Sequence, residues 1–174
     1  MNTRTADVGE PLPMAGREKK NVLIVDDDSS VRKSISRVLK DAGYEVSQAR
    51  DEQEAMTQFD SKQIDLVLLD LGLPNRSGWD MFEGFTSRNP TLPIIIITGR
   101  AGQFEIAMAA GVGALMEKPL DAAQLLQTMH DLLIETEEAR LRRMCGYTRD
   151  VRYIPIVPRF IHADASAPAR HKPK

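Results

Sequence analysis

The sequence predicts an α/β fold, a doubly wound parallel sheet of five strands with five helices, on three observations. Two runs of branched aliphatic residues end abruptly in acid: Val22 to Val25 before Asp26, Asp27 and Asp28, and Leu66 to Leu69 before Asp70. A third run, Ile94 to Ile97 behind Pro93, is more apolar still. Such runs suit strands covered on both faces, as in parallel sheets with helices on either side. Strand and helix signals alternate along the chain in five successive units, the doubly wound pattern.

After the first strand, Ser29 or Ser30 can cap a helix whose Val31, Ile35, Val38 and Leu39 share one face, and Gly43 is placed to end it. Residues 44–48 alternate like a short strand, and residues 52–59 read as the second helix. Residues 64–69 are the third strand; residues 71–78, with Pro74, Asn75 and Gly78, are a loop. Residues 79–87 are helical, and the Trp79, Phe82 and Phe85 stripe reads as core rather than as a binding surface. Residues 93–97 form the fourth strand, residues 101–110 a small-residue helix ending near Gly111, and residues 114–116 a fifth strand. Asp121 caps a longer helix through Leu125, Met129, Leu132 and Leu133 that can run on to Arg143. From Gly146 onward the periodicity fails, and Pro155, Pro158, Pro168 and Pro173 exclude one helix or a central strand. Residues 153–161 are nevertheless apolar enough to pack extended against something, and the last residues read as disordered.

A chain of 174 residues holds one domain with a proper core and something beyond it. The expected division is a flexible segment over residues 1–20, the domain over 21–138, and a basic, proline-containing extension over 139–174 without a recognisable effector domain. The hydrophobic content of 42% is ordinary for a globular protein, and no window holds the roughly 20 apolar residues that span a bilayer. Residues 1–20 are polar, broken by Pro11, Pro13 and Gly16, and do not read as a signal peptide. One cysteine, Cys145, excludes an internal disulfide framework and fits a reducing cytoplasm, the expected location. The net charge of -2 conceals an asymmetry: residues 21–138 carry 10 Lys/Arg against 20 Asp/Glu, and residues 139–174 carry 9 against 2. Arg140, Arg142 and Arg143 either complement the carboxyl end of their helix or bind a partner. His130 is expected half exposed on its helix, and neither it nor His162 or His171 has metal-ligand spacing.

In a parallel sheet, Asp26, Asp27, Asp28, Asp70, Thr98 and Lys118 all lie at the carboxyl edge, where open α/β sheets build their sites. Acids gathered there repel one another unless something positive sits between them. Mg2+ prefers a few carboxylates with water and phosphate oxygens, and would relieve that repulsion. Lys118 adds a fixed positive charge and Thr98 a hydroxyl. Together they describe a site where a carboxylate nucleophile accepts a phosphoryl group, with metal, lysine and hydroxyl stabilising its oxygens.

With Asp26 and Asp27 after the first strand, Asp70 followed by Pro74 and Gly78, Ile97-Thr98-Gly99, and Lys118-Pro119, the chain resembles the receiver domain of two-component response regulators from about Asn21 to Leu133. The resemblance implies a flavodoxin-like sheet of order 2-1-3-4-5. It implies that Asp70 is the phosphoacceptor and that Asp26, Asp27, Asp70 and the carbonyl of Gly72 organise Mg2+. Thr98 and Lys118 would contact the phosphoryl group, and the donor would be a histidine kinase or phosphotransfer protein. Asp28 takes neither role.

Two positions depart from the family's usual pattern. Leu115 stands where an aromatic residue often lies three before the lysine, so a signal would travel through Thr98, the following loop and the fourth helix. Gly72, two after the nucleophile, leaves space for an attacking water, so Gly72→Asn is expected to change dephosphorylation; Arg100, two after Thr98, could instead cover the phosphoryl group.

Two other classes fit less well. Haloacid-dehalogenase-type phosphatases need a second acid two residues after the nucleophile, where this chain has Gly72, so the chain is read as a regulator rather than an enzyme. Flavin binding needs a hydroxyl- and glycine-rich loop after the first strand, and three aspartates there would repel a flavin phosphate. For output, docking on a protein partner ranks first. Contact of the tail with the acidic body or with a second copy, through residues 153–161, ranks second. Nucleic acid ranks last, because the tail lacks a recognition helix and has few aromatic residues.

Overall fold

The apolar runs fold as the pattern requires. The computed structural model describes residues 19–74, 78–145 and 152–155. In order along the chain are β1 (Asn21–Val25), α1 (Ser29–Asp41), β2 (Glu45–Ala49), α2 (Glu52–Ser61), β3 (Leu66–Asp70), α3 (Gly78–Arg88), β4 (Ile94–Thr98), α4 (Phe104–Ala110), β5 (Ala114–Glu117) and α5 (Ala122–Leu133). Two further elements follow, α6 (Glu137–Met144) and β6 (Arg152–Ile154). Among the described residues the sheet has six strands in the order β2-β1-β3-β4-β5-β6, every neighbouring pair parallel.

Alternate residues of each central strand feed opposite faces of the sheet, as the two-residue period demands. Val22, Ile24, Leu66, Leu68, Ile95 and Ile97 pack under α1 and α5. Leu23, Val25, Val67, Leu69, Ile94 and Ile96 pack under α2, α3 and α4. β3 and β4 are buried along their whole length, and each such aliphatic side chain contributes about 1.5–3 kcal/mol. From α3, Phe85 and Phe82 enter the core, while Trp79 is half-buried and donates from Nε1 to Gln103 Oε1 at 3.1 Å, tying α3 to the start of α4.

The cap of α1 is Asp28, one residue before the serines expected to serve. Its Oδ1 accepts from the amides of Ser30 and Val31 at 2.7 and 3.3 Å. A carboxylate serves well there because it also faces the positive end of the helix. The backbone hydrogen bonds hold its carboxyl below the usual range. Asp121 caps α5 as expected, accepting from Gln124 N at 2.9 Å.

The long last helix is two helices. α5 stops at Leu133, and Thr136 restarts the chain by capping α6 through Ala139 N at 3.2 Å. α6 then packs back on the amino edge of the sheet through two of its three arginines. Arg140 donates to the carbonyls of Thr91 at 2.6 Å and Leu132 at 3.0 Å. Arg143 is buried and donates to the Gly111 carbonyl and to Glu135 Oε2, each at 2.7 Å. Arg142 is exposed and pairs with Glu138 one turn away. Gly111 permits this approach: its φ is +68°, and an added Cβ would lie 2.9 Å from Met144 Cα. His130, expected half exposed, is exposed, as is the free thiol of Cys145; His162 and His171 lie outside the described residues.

β6 makes the sheet six strands rather than five. It lies at the edge, with Pro155 directly after it, where a missing amide costs no ladder hydrogen bond. Its register sets Arg152, Tyr153 and Ile154 against Ala114, Leu115 and Met116. Residues 156–161, the rest of the stretch expected to pack extended, lie outside the described residues.

Candidate functional site

The register of β1 and β3 pairs Val25 with Leu69, so Asp26 and Asp70 emerge side by side at the carboxyl edge. Carboxylate oxygens of Asp26, Asp27 and Asp70 all lie within 4.8 Å of one another. Asp26 and Asp70 are buried and Asp27 is exposed. Lys118, arriving from β5, places its ammonium between the two buried acids, 2.8 Å from Asp26 Oδ2 and 2.7 Å from Asp70 Oδ2. The peptide between Lys118 and Pro119 is cis.

Each acid is also fixed by backbone. Asp26 Oδ1 accepts from Asp28 N at 2.8 Å, and Asp70 Oδ1 accepts from Gly72 N at 2.8 Å. Gly78 lets the start of α3 approach Leu71 closely, since an added Cβ would come within 2.7 Å of Leu71 Cα. Thr98 ends β4 one residue beyond Ile97, the register partner of Asp70. It is fully buried, and its Oγ1 accepts from Arg100 N at 2.9 Å. Its carbonyl accepts from Lys118 N at 2.8 Å, which locks the ends of β4 and β5 together. Leu115 is buried one turn of strand below, among aliphatic neighbours.

The electrostatics describe a site short of positive charge. Burial pushes the Asp26 carboxyl up, and the neighbouring Asp70 adds to the rise, against the hydrogen bonds from Lys118 and Asp28 that pull it down. Burial by itself would lower Lys118, but hydrogen bonds and charge from Asp26 and Asp70 together outweigh it and hold the ammonium above its usual range. One lysine thus serves two buried carboxylates with a third beside them. The cluster is all hard oxygen donors, a set suited to a hard cation with water in its remaining positions.

The expected site residues therefore divide in two. Asp26, Asp27, Asp70 and Lys118 form one contact cluster. Thr98 sits at the adjoining strand end with its hydroxyl turned to the next loop, and Gly72 touches Asp70 through its amide. Two supports had no signal in the sequence. Arg32 Nη1, one turn into α1, donates to the Asp26 carbonyl at 2.5 Å. Glu117, between Met116 and the site lysine, accepts from Tyr153 of β6 at 2.7 Å.

Residues 22–130 match the response regulator receiver domain family. The response regulator MprA of Mycolicibacterium vanbaalenii is 35% identical over 117 residues, 66% of this chain and 51% of that protein. MprA of Mycobacterium avium is 34% identical over 118 residues, 67% of this chain and 52% of that one. The chain thus spans about half the length of these curated relatives. A CheY-like receiver domain protein from Methanospirillum hungatei superposes with a TM-score of 0.65 at 30% identity, over 69% of this chain and 97% of that one. The response regulator TrrA from Thermotoga maritima, solved in complex with Mg2+ and BeF, gives 0.61 at 26% identity, over 65% and 98%. Matched in sequence over residues 22–130 and in architecture over about two thirds of its length, the chain belongs to the receiver domain family of two-component response regulators.

Proposed function

We propose that Asp70 accepts a phosphoryl group from a histidine kinase or phosphotransfer protein and that the chain signals by changing its contacts with a partner or with itself. The observation that carries this reading is the pairing of a buried Asp70 with Lys118 and two further acids at one sheet edge. An Asp70 oxygen attacks phosphorus, the P–N bond to the donor imidazole breaks, and the imidazole leaves with the bonding electrons. Lys118 is placed to follow the transferred oxygens, and the Thr98 hydroxyl turns from Arg100 N to donate to one of them. Asp26, Asp27, Asp70 and the carbonyl of Gly72 would hold Mg2+, whose chemistry there is neutralisation of the charge that gathers on phosphoryl oxygens. A groove of about 570 Å3 between α1 and α5, lined by Val31, Ile35, Pro119 and Leu120, opens beside Lys118 and offers the donor an apolar seat.

The chemistry is that of a phosphoacceptor regulator in the cytoplasm, limited to self-phosphorylation and autodephosphorylation by water. The receiver would comprise residues 21–138; residues 1–18 of the segment before it lie outside the described residues. The extension over 139–174 would contribute most of α6 and all of β6, which pack on the body. Among the described residues no helix is long and apolar enough to cross a membrane.

Exposure to a small acyl phosphate with Mg2+, followed by intact mass, tests the reading. The wild type is expected to gain one phosphoryl group and Asp70→Asn none; equal gain by both, or gain by neither, would sink it. Gly72 bears on how long the group stays. A Cβ at Gly72 would lie 3.1 and 3.2 Å from the two Asp70 oxygens, narrowing the path of an attacking water. Gly72→Ala is expected to slow loss of the phosphoryl group several-fold, measured by mass after removal of the donor; an unchanged rate would place the water on another side.

A further inference from the structure

We propose that β6 is a strap released by phosphorylation, through the contacts of Tyr153 with the first residue of α4 and with the neighbour of the site lysine. The inference rests on Asp70 being the phosphoacceptor. Tyr153 packs on Phe104 with ring centroids 4.9 Å apart and the planes tilted by 45°, and donates its hydroxyl to Glu117 Oε1 at 2.7 Å. Both partners are one short step from the site. Glu117 is the register partner of Thr98 and precedes Lys118. Phe104 opens α4, reached from Thr98 by the loop over residues 99–103.

That loop is held at its start by the amide of Arg100 on Thr98 Oγ1. A hydroxyl that turns to donate to a phosphoryl oxygen loses that geometry, and Lys118 shifts its bonds at the same moment. α4 is poorly placed to resist: it is only seven residues long, and Gln103 makes no side-chain capping bond. The residue that reports the movement directly is Trp79, whose Nε1 donates to Gln103 Oε1.

Among the described residues the remaining holds on β6 are slight. Its ladder to β5 spans three residues. The pair Arg152–Asp131 is 3.8 Å apart, with the Arg152 side chain 44% exposed, a geometry that contributes little in solvent and salt. Ile154 packs against the α5 side of the core. Tyr153 thus joins β6 to both elements that move when the site fills.

Coupling of this kind is reciprocal: if filling the site loosens the strap, loosening the strap must favour filling the site. Beryllofluoride with Mg2+, a reversible stand-in for the phosphoryl group, makes this an equilibrium measurement. On the full chain, its affinity is read from Trp79 fluorescence, with hydrogen exchange of the peptide containing residues 152–155 followed in parallel. We expect that peptide to exchange at least about tenfold faster in the filled state. Tyr153→Phe, which keeps the ring and loses the bond to Glu117, is expected to bind about threefold tighter, and Tyr153→Ala about tenfold tighter, within the usual range of coupling between sites. Binding by the wild type with unchanged exchange, or variants with wild-type affinity, would overturn the strap. No binding by the wild type, or equal binding by Asp70→Asn, would overturn the phosphoacceptor reading and the strap with it.

Discussion

Lys118→Met should yield a protein whose stability depends strongly on divalent cation. In the wild type the Lys118 ammonium lies 2.8 and 2.7 Å from two buried carboxylates, with a third acid alongside. Removing one partner of a buried ion pair leaves an uncompensated charge, which commonly costs about 3–5 kcal/mol. Lys118 is about a quarter exposed, and the acids can take up protons, so a loss of about 2 kcal/mol is the better expectation. A cation bound by the same acids replaces the missing charge, and binding to the folded state alone raises stability with its concentration. Urea unfolding in chelator and in millimolar Mg2+ should therefore show a variant much weaker than wild type in the first and close to it in the second. A variant as stable as wild type in chelator would mean that Lys118 does not hold the acids together.

The second large effect lies at the opposite edge of the sheet. Arg143→Ala should destabilise the whole domain, although Arg143 lies beyond the residues matched by the family. Its side chain is 5% exposed, and its two hydrogen bonds join α6 to the Gly111 carbonyl and to Glu135. Truncation strands a buried carbonyl and removes the short partner of a carboxylate whose remaining contact, Arg140 Nε, is 3.6 Å away. The cost is about 3 kcal/mol, a fall in Tm of roughly 10 °C for a domain of this size. Arg142→Ala, which loses only an exposed pair one turn apart, should stay within about 0.5 kcal/mol of wild type. Equal behaviour of the two variants in thermal unfolding would show that α6 is merely laid against the body.

How much of this was legible follows from which forces write themselves into sequence. β3 and β4 are readable because burial on both faces leaves no room for polar residues, and the acids closing β1 and β3 stand out against them. Topology then brings Asp26, Asp70 and Lys118 to one place, so the contact cluster could be anticipated residue by residue. The break between α5 and α6 was hidden because no glycine or proline interrupts residues 133–144, which are rich in good helix formers. The signal that settles it, Thr136 before Glu137 and Glu138, is a capping pattern that periodicity overrides. β6 was unreadable for a different reason. Three residues beside a proline carry no period, and what places them is a partner strand far back in the chain. The arginines of α6 illustrate the same limit: spacing groups all three, and only tertiary contacts separate the buried clamps from Arg142.

The added strand also changes what the sheet offers to its surroundings. Without it, β5 would present a row of unpaired amides and carbonyls flanked by Leu115 and Met116, the kind of border on which copies of a protein stack strand against strand. With it, that border is three residues long, carries the cationic Arg152, and ends at Pro155, which has no amide to donate. Short length, a charge and a proline are devices that keep sheet proteins from aggregating. The segment that extends this receiver is thus also a guard on its flank, and a chain shortened before Arg152 should be the stickier protein.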